Sequence, residues 1–167
     1  MQNFIRNSFL SILVLCNIGC DQISKNIVRK SVDYGDTIPL INNIFTLTRV
    51  ENKGAFLSFG DSLPWLIKFT LLTLLPVVAL LFGLYVIYFR HNLSVIMLTA
   101  ICFVIGGGIG NLFDRIAYGS VTDFLHLDMG IFETGIFNLA DVSIMIGMFI
   151  IIFDQYIKKK PEMSHSA

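Results

Sequence analysis

The sequence predicts an all-α membrane protein: four transmembrane helices, a small extracytoplasmic β-sheet and an outer lid loop, in a single domain over residues 1–167. Three observations lead there. Hydrophobic residues make up 54% of the chain and charged residues 14%, with a mean hydropathy of +0.72, too apolar for a soluble domain of this length. Four apolar runs are each long enough to cross about 30 Å of hydrocarbon at about 1.5 Å of rise per residue. The two long connections, 29–62 and 117–135, both follow odd-numbered runs and so share one side. The formal net charge is zero and the only basic block is Lys158-Lys159-Lys160, so no nucleic-acid partner is expected.

The first helix is expected over about 4–28. Arg6 ahead of an apolar stretch resembles a secretory leader, and Ile18-Gly19-Cys20 resembles a cleavage box, but Asn17 stands where an apolar residue is usual. Asp21 and Lys25 continue the helix as an i, i+4 charge pair, which favours a retained first span. Cys16, Cys20 and Cys102 all lie in apolar runs and read as packed thiols, and an odd count argues against a disulfide framework. In the first connection, β-branched and aromatic runs broken at Asn42-Asn43 and Asn52-Lys53-Gly54 predict an antiparallel sheet over about 37–60.

The second helix, about 63–89, contains Pro76 and should kink there. After the Arg90-His91-Asn92 turn, the third helix, about 93–116, carries Gly106-Gly107-Gly108-Ile109-Gly110, a small-residue spacing that lets another backbone approach closely. Residues 117–135, with Gly119, Gly130 and Gly135 around apolar side chains, are expected to form a mobile lid, and the fourth helix to cover about 136–157. Four spans put both termini on one side. The Lys158–Lys160 triplet, Arg6 and Arg90 favour the cytoplasm for that side, although a raw count finds more Lys and Arg opposite, in a connection long enough to weaken its vote.

The chemistry lies in the acids. Asn111-x-x-Asp114 and Asn138-x-x-Asp141 repeat one pattern at the edges of apolar runs, and Asp123 lies between them. Carboxylates in apolar sequence cost about 2.5–3.5 kcal/mol each at a bilayer centre, so each needs a partner, a water path or a task. The topology gathers Asp114, Asp123, Asp141, Asn52 and the Asp21/Lys25 pair at the outer rim. Two close carboxylates cannot both ionise easily; one keeps a proton while the other stays charged, the arrangement that lets a pair activate water against a carbonyl. Asp123, on a loop, and Asp141, about five residues into the fourth helix, are the expected pair, and Asp114 is expected to form a supporting ion pair with Arg115. Asn111, Asn138 and Asn52 can hold loops or a substrate backbone through amide hydrogen bonds, and Asn138 reads equally well as a helix cap.

Other schemes fit less well. There is no His-Glu-x-x-His, and His91, His126 and His165 fall on the turn, the lid and the tail, so no metal is expected. Ser24 and Lys25 are adjacent on a helix and point in different directions.

Taken in order, Asp21-Gln22-x-x-Lys25, Glu51-Asn52-x-Gly54-Ala55, Gly110-Asn111-x-x-Asp114-Arg115, Val121-x-Asp123-Phe124 and Phe137-Asn138-x-Ala140-Asp141 resemble the lipoprotein signal peptidases, also called signal peptidase II. The match runs through essentially the whole chain. The resemblance implies an intramembrane aspartic endopeptidase of the bacterial cytoplasmic membrane, without cofactor. It would cut prolipoproteins on the amino side of a cysteine that already carries diacylglycerol. The family's catalytic pair falls on Asp123 and Asp141. Its other motif positions fall on Asp21, Lys25, Asn52, Gly54, Asn111, Asp114, Arg115 and Asn138, as structural or substrate-positioning residues. Expected partners are lipid-modified prolipoproteins and membrane lipids, with the protein a monomer. The competing readings are a small proton- or ion-coupled transporter, since intramembrane carboxylates also mark ion paths, and a non-catalytic membrane assembly factor.

Overall fold

The computed structural model describes residues 2–42, 44–54, 62–90 and 92–159. Residues 55–60 of the expected sheet, His91 of the turn, and Lys160 and His165 of the tail lie outside the described residues.

Among the described residues, four helical spans are long and apolar enough to cross a membrane. The first is α1, Gln2–Ser31. The second comprises α2 (Trp65–Phe69), a π-helical stretch (Thr70–Leu74) and α3 (Leu75–Phe89). The third is α4, Val95–Tyr118, and the fourth α5, Leu139–Lys159. Half of the apolar window of α4 is buried against 6% of that of the second span, so α4 is the central post and the second span lies at the edge. A core of Leu10, Val14, Ile87, Leu98, Cys102 and Ile105 joins α1, α3 and α4 near the end remote from the sheet. Cys16 and Cys20 are exposed on α1; of the three thiols expected to be packed, only Cys102 is buried.

The strain at Pro76 is taken up by a widened turn. Proline lacks the N–H that would bond Leu72, and its ring crowds that carbonyl. Immediately before it the helix changes to π geometry, with the Leu75 N–H bonding the Thr70 carbonyl five residues back. The glycines of α4 are close-approach points. A Cβ at Gly107 would strike the Ala140 carbonyl of α5, and one at Gly110 would strike the Asp21 carboxylate of α1. Both contacts lie beside the acids, so the small-residue spacing sets how near α1 and α5 bring their polar groups to α4.

The sheet has three antiparallel strands in the order β1 (Thr37–Ile41), β2 (Phe45–Asn52), β3 (Val121–Leu127). The β1–β2 turn passes through Asn42 at φ +44°, a left-handed conformation that asparagine tolerates. Strand β3 corrects the expected lid. About half of the segment 117–135 is not a free loop, because α4 extends to Tyr118 and 121–127 pairs with β2, with Val50 opposite Asp123 and Glu51 opposite Thr122. Gly119, at φ +74°, caps α4 in the left-handed region and turns the chain into the strand. Loop structure remains only after β3, where Phe137 is tied back to Leu125 by two backbone hydrogen bonds of 2.8 Å.

Candidate active site

The register of β2 and β3 builds the first half of the site. Side chains alternate across a strand, so Asn52, two residues beyond Val50, shares a face with Asp123 as a diagonal neighbour. Its Nδ2 donates to Asp123 Oδ2 at 3.0 Å, while its Oδ1 accepts the Gly54 N–H at 2.9 Å. Asp123 is therefore held on a strand and not on a mobile loop.

The second half is the start of α5. The helix begins at Leu139, three residues later than expected, so Asp141 lies in its first turn. Asn138 is the cap: its Oδ1 accepts the Asp141 N–H at 3.0 Å, and Asp141 Oδ2 accepts the Asn138 N–H at 3.1 Å. Capping and site-building turn out to be one role. The Asn138 Nδ2 also donates to Asp123 Oδ1 at 2.6 Å and to Asn111 Oδ1 at 3.1 Å. Asn111 in turn donates from Nδ2 to Asp141 Oδ1 at 2.8 Å. Asn138 thus binds both acids at once, and three amides hold two carboxylates in fixed orientations.

Beneath this layer lies a buried ionic cluster. Lys25 is fully buried, and its Nζ meets Asp21 at 2.8 Å, Asn111 Oδ1 at 2.9 Å and Asp114 at 3.2 Å, which satisfies all three donors. Its bond to Asn111 leaves that amide's NH2 facing Asp141. Asp21 Oδ1 accepts the Ala140 N–H at 3.0 Å, joining α1 to the start of α5. Gln22 Nε2 reaches Asp21 at 3.0 Å and Asp114 at 3.1 Å.

Asp114 does not pair with Arg115 as the sequence suggested. Neighbouring residues on a helix diverge by about 100°, and Asp114 instead takes Lys25 and, at 2.9 Å, Arg29, both on α1. Arg115 donates to the Gly54 carbonyl at 3.1 Å. Arg29, Thr122 and Glu51 have supporting roles that the sequence reading did not assign. Arg29 Nε donates to Thr122 Oγ1 at 2.8 Å, Thr122 Oγ1 donates to Glu51 Oε1 at 3.0 Å, and the Thr122 N–H reaches Asp114 at 3.2 Å. The signal was present: Asp21, Lys25 and Arg29 recur every four residues and so lie along one face of α1.

Burial raises the Asp123 carboxyl from its ordinary 3.8 to about 6; the charge of Asp141 adds to the rise, while the bonds from Asn52 and Asn138 and the charge of Lys25 oppose it. The folded protein then binds a proton at Asp123 more tightly than the unfolded chain does. Its contribution to stability is full below about pH 3.8 and is lost as pH rises through about 6. Melting temperature measured from pH 4 to 7 should therefore carry a downward contribution that Asp123→Asn removes. Identical pH profiles for the two proteins would contradict the shift.

Asp123 and Asn52 also line a cavity of about 570 Å³ that runs over Thr46, Thr48 and Val50 to His126 and the loop at Glu133–Ile136. His126, expected on the lid surface, is on β3 and bonds Glu133 at 3.0 Å. Buried Asp123 thus stands where a cavity opens over the sheet, and half-buried Asp141, which does not line that cavity, is joined to it through Asn138.

Comparison with known proteins bears directly on this arrangement. The family profile described as signal peptidase (SPase) II matches residues 13–157. The chain belongs to the signal peptidase II family. It is 35% identical over 150 residues to the lipoprotein signal peptidase of Clostridioides difficile (strain 630), covering 89% of this chain and 96% of the relative. It is 36% identical over 136 residues to that of Cupriavidus taiwanensis, covering 81% and 75%. Two solved bacterial membrane enzymes share the fold. One, determined by the in meso method at 2.3 Å resolution, superposes with a TM-score of 0.81 at 25% identity over 92% of this chain and 90% of its own; the other, at 1.9 Å, gives 0.78 at 26% over 89% and 92%. As in other members of the signal peptidase II family, aspartic protease chemistry is expected of a site that presents paired carboxylates.

Proposed function

We propose that this protein is an intramembrane aspartic endopeptidase that removes the signal peptide from diacylglyceryl-modified prolipoproteins, cutting on the amino side of the lipidated cysteine, with Asp123 and Asp141 as the reacting pair. The observation that carries the assignment of the pair is the single amide of Asn138, which binds Asp123 and caps the turn that holds Asp141. In the resting pair one carboxyl keeps its proton. The charged carboxylate takes a proton from water as its oxygen attacks the scissile carbonyl carbon, and the protonated one donates to the carbonyl oxygen, giving a tetrahedral diol. The carboxyl that took the water proton then gives it to the leaving amide nitrogen while the other carboxylate takes a proton back from a diol hydroxyl; the C–N bond breaks, the new carboxyl's carbonyl re-forms, and the pair again has one protonated and one charged member. Asn111, Asn52 and Asn138 orient the carboxylates; Lys25, Asp21 and Asp114 hold that layer in place; Gly54 and Arg115 tie the end of β2 to α4.

A transporter reading is not favoured. The acids collect at one end of the bundle against the sheet and are bound up in a network that joins strand, loop and helices, not strung along a path through the spans. The test is cleavage of a lipidated prolipoprotein by purified protein, read by gel shift, beside the same substrate without its lipid. Cleavage of the lipidated form only, undiminished by a metal chelator, is expected; loss of turnover that zinc restores would overturn the metal-free reading.

On this reading the sheet and the acid pair face the outer leaflet, both termini are cytoplasmic and the protein acts as a monomer. The even number of spans and the basic residues near the termini support that orientation. Cysteines introduced at Ser31 and Gly119 should react in intact cells with an impermeant thiol reagent, and one at Ser164 should not. The opposite pattern reverses the orientation.

A further inference from the structure

We propose that Thr122 and Glu51 are positioning residues for the reaction: with Arg29 they form a polar clamp on the face of β3 opposite Asp123, which fixes the register of the strand and so the place of that carboxyl. The inference rests on the reading that Asp123 reacts. Thr122 and Asp123 are neighbours on a strand and point to opposite faces. Thr122 is fully buried and stands directly across the ladder from Glu51. Arg29 Nε donates to its Oγ1 at 2.8 Å, and because arginine only donates, the hydroxyl proton is left for Glu51 Oε1 at 3.0 Å. The other oxygen of Glu51 accepts the Ser120 hydroxyl at 2.7 Å. One carboxylate thus fastens residues 120 and 122, and one hydroxyl links it to the cation of α1.

Arg29 is itself anchored on the bundle. Its guanidinium lies 2.9 Å from Asp114, and its central carbon 4.1 Å from the ring centre of Tyr118, both on α4. The Thr122 N–H adds a bond to Asp114 at 3.2 Å. These contacts tie β3 to the spans one residue before Asp123. Beyond Asp123, the Phe124 and Leu125 N–H groups both reach the Phe137 carbonyl, at 3.0 and 2.8 Å, next to Asn138. The ladder to β2 is irregular at this point: its register shifts between Leu47 and Val50, and Val50 is the partner of Asp123. An irregular ladder holds register poorly, and a slip of one residue turns a side chain to the other face. For Asp123 such a slip would break its bonds of 2.6 Å to Asn138 and 3.0 Å to Asn52. The clamp acts where the ladder is weak, on the segment that delivers Asp123 from the end of α4.

Thr122→Val removes the hydroxyl at nearly constant shape, whereas Thr122→Ser keeps it and loses only the methyl group. Misplacing a reacting group by about 1 Å costs about a hundredfold in rate. In folded, purified full-length Thr122→Val, kcat for a lipidated prolipoprotein should fall about thirtyfold with KM within about twofold, because the lost geometry matters only as the bond is cut. Thr122→Ser should stay within about threefold of the parent. Hydrogen exchange read by mass spectrometry tests the clamp apart from peptidase activity: in Thr122→Val the amides of 120–124 should exchange about tenfold faster, with those of mid-α4 unchanged. Half-buried Glu51 supplies a second variant if Thr122→Val does not fold; Glu51→Gln keeps one acceptor and should show the same exchange pattern with about a fivefold fall in kcat. If the parent cleaves no lipidated prolipoprotein, the peptidase reading fails and the exchange pattern alone judges the clamp. Unchanged exchange at 120–124, equal losses of rate in Thr122→Ser and Thr122→Val, or a raised KM at unchanged kcat would each overturn it.

Discussion

Asp123→Asn and Asp141→Asn should each lower turnover of a lipidated prolipoprotein by about a thousandfold or more while leaving the bundle folded. An amide has the size of the carboxyl but can neither accept the water proton nor return one to the leaving nitrogen. Each acid accepts two hydrogen bonds, Asp123 from Asn52 and Asn138, Asp141 from Asn111 and the Asn138 backbone. The asparagine keeps one acceptor and turns an NH2 towards the other donor, so a stability loss of about 1–3 kcal/mol is expected, well short of unfolding. Gel-shift turnover and detergent melting curves on the same preparations separate the two effects. Substantial activity in either folded variant removes that residue from the pair.

The largest effect on stability is expected at a residue that touches no substrate. Lys25→Met should cost about 3–5 kcal/mol, because it deletes the cation shared by two fully buried carboxylates, Asp21 and Asp114. Arg29 and Gln22 still reach Asp114, but Asp21 keeps only neutral donors, from Ala140 and Gln22. Removing the stranded charge as well, in Lys25→Met/Asp21→Asn, should recover part of the loss, a coupling that a simple cavity would not show. Lys25→Met should also depress turnover beyond its effect on the folded fraction, since Asn111 loses the ammonium that orients its amide towards Asp141. Unfolding curves of the single and double variants decide the matter; a single variant within about 1 kcal/mol of the parent would contradict a buried charge balance.

The sequence by itself determined the spans and which acids stand at their edges. Apolar runs of membrane length and acids at their edges are local properties, readable because hydrocarbon tolerates few charges and a helix satisfies its own backbone. The order of the spans likewise puts Asp123 and Asp141 at one end of the bundle, while the five ordered motifs carry the family resemblance. Only the tertiary structure decided how those residues are held. Strand β3 looks like a lid in the sequence because its pairing partner lies about 70 positions away, as the Asn52–Asp123 bond shows, and a short strand carries little local signal of its own. For the same reason sequence adjacency pairs Asp114 with Arg115, whereas the angular step of the helix sends the two apart and α1 supplies Lys25 and Arg29. Sequence order therefore identifies which polar groups must be buried; strand register and helix packing decide which of them meet, because a buried charge takes the partner nearest in space, not in sequence.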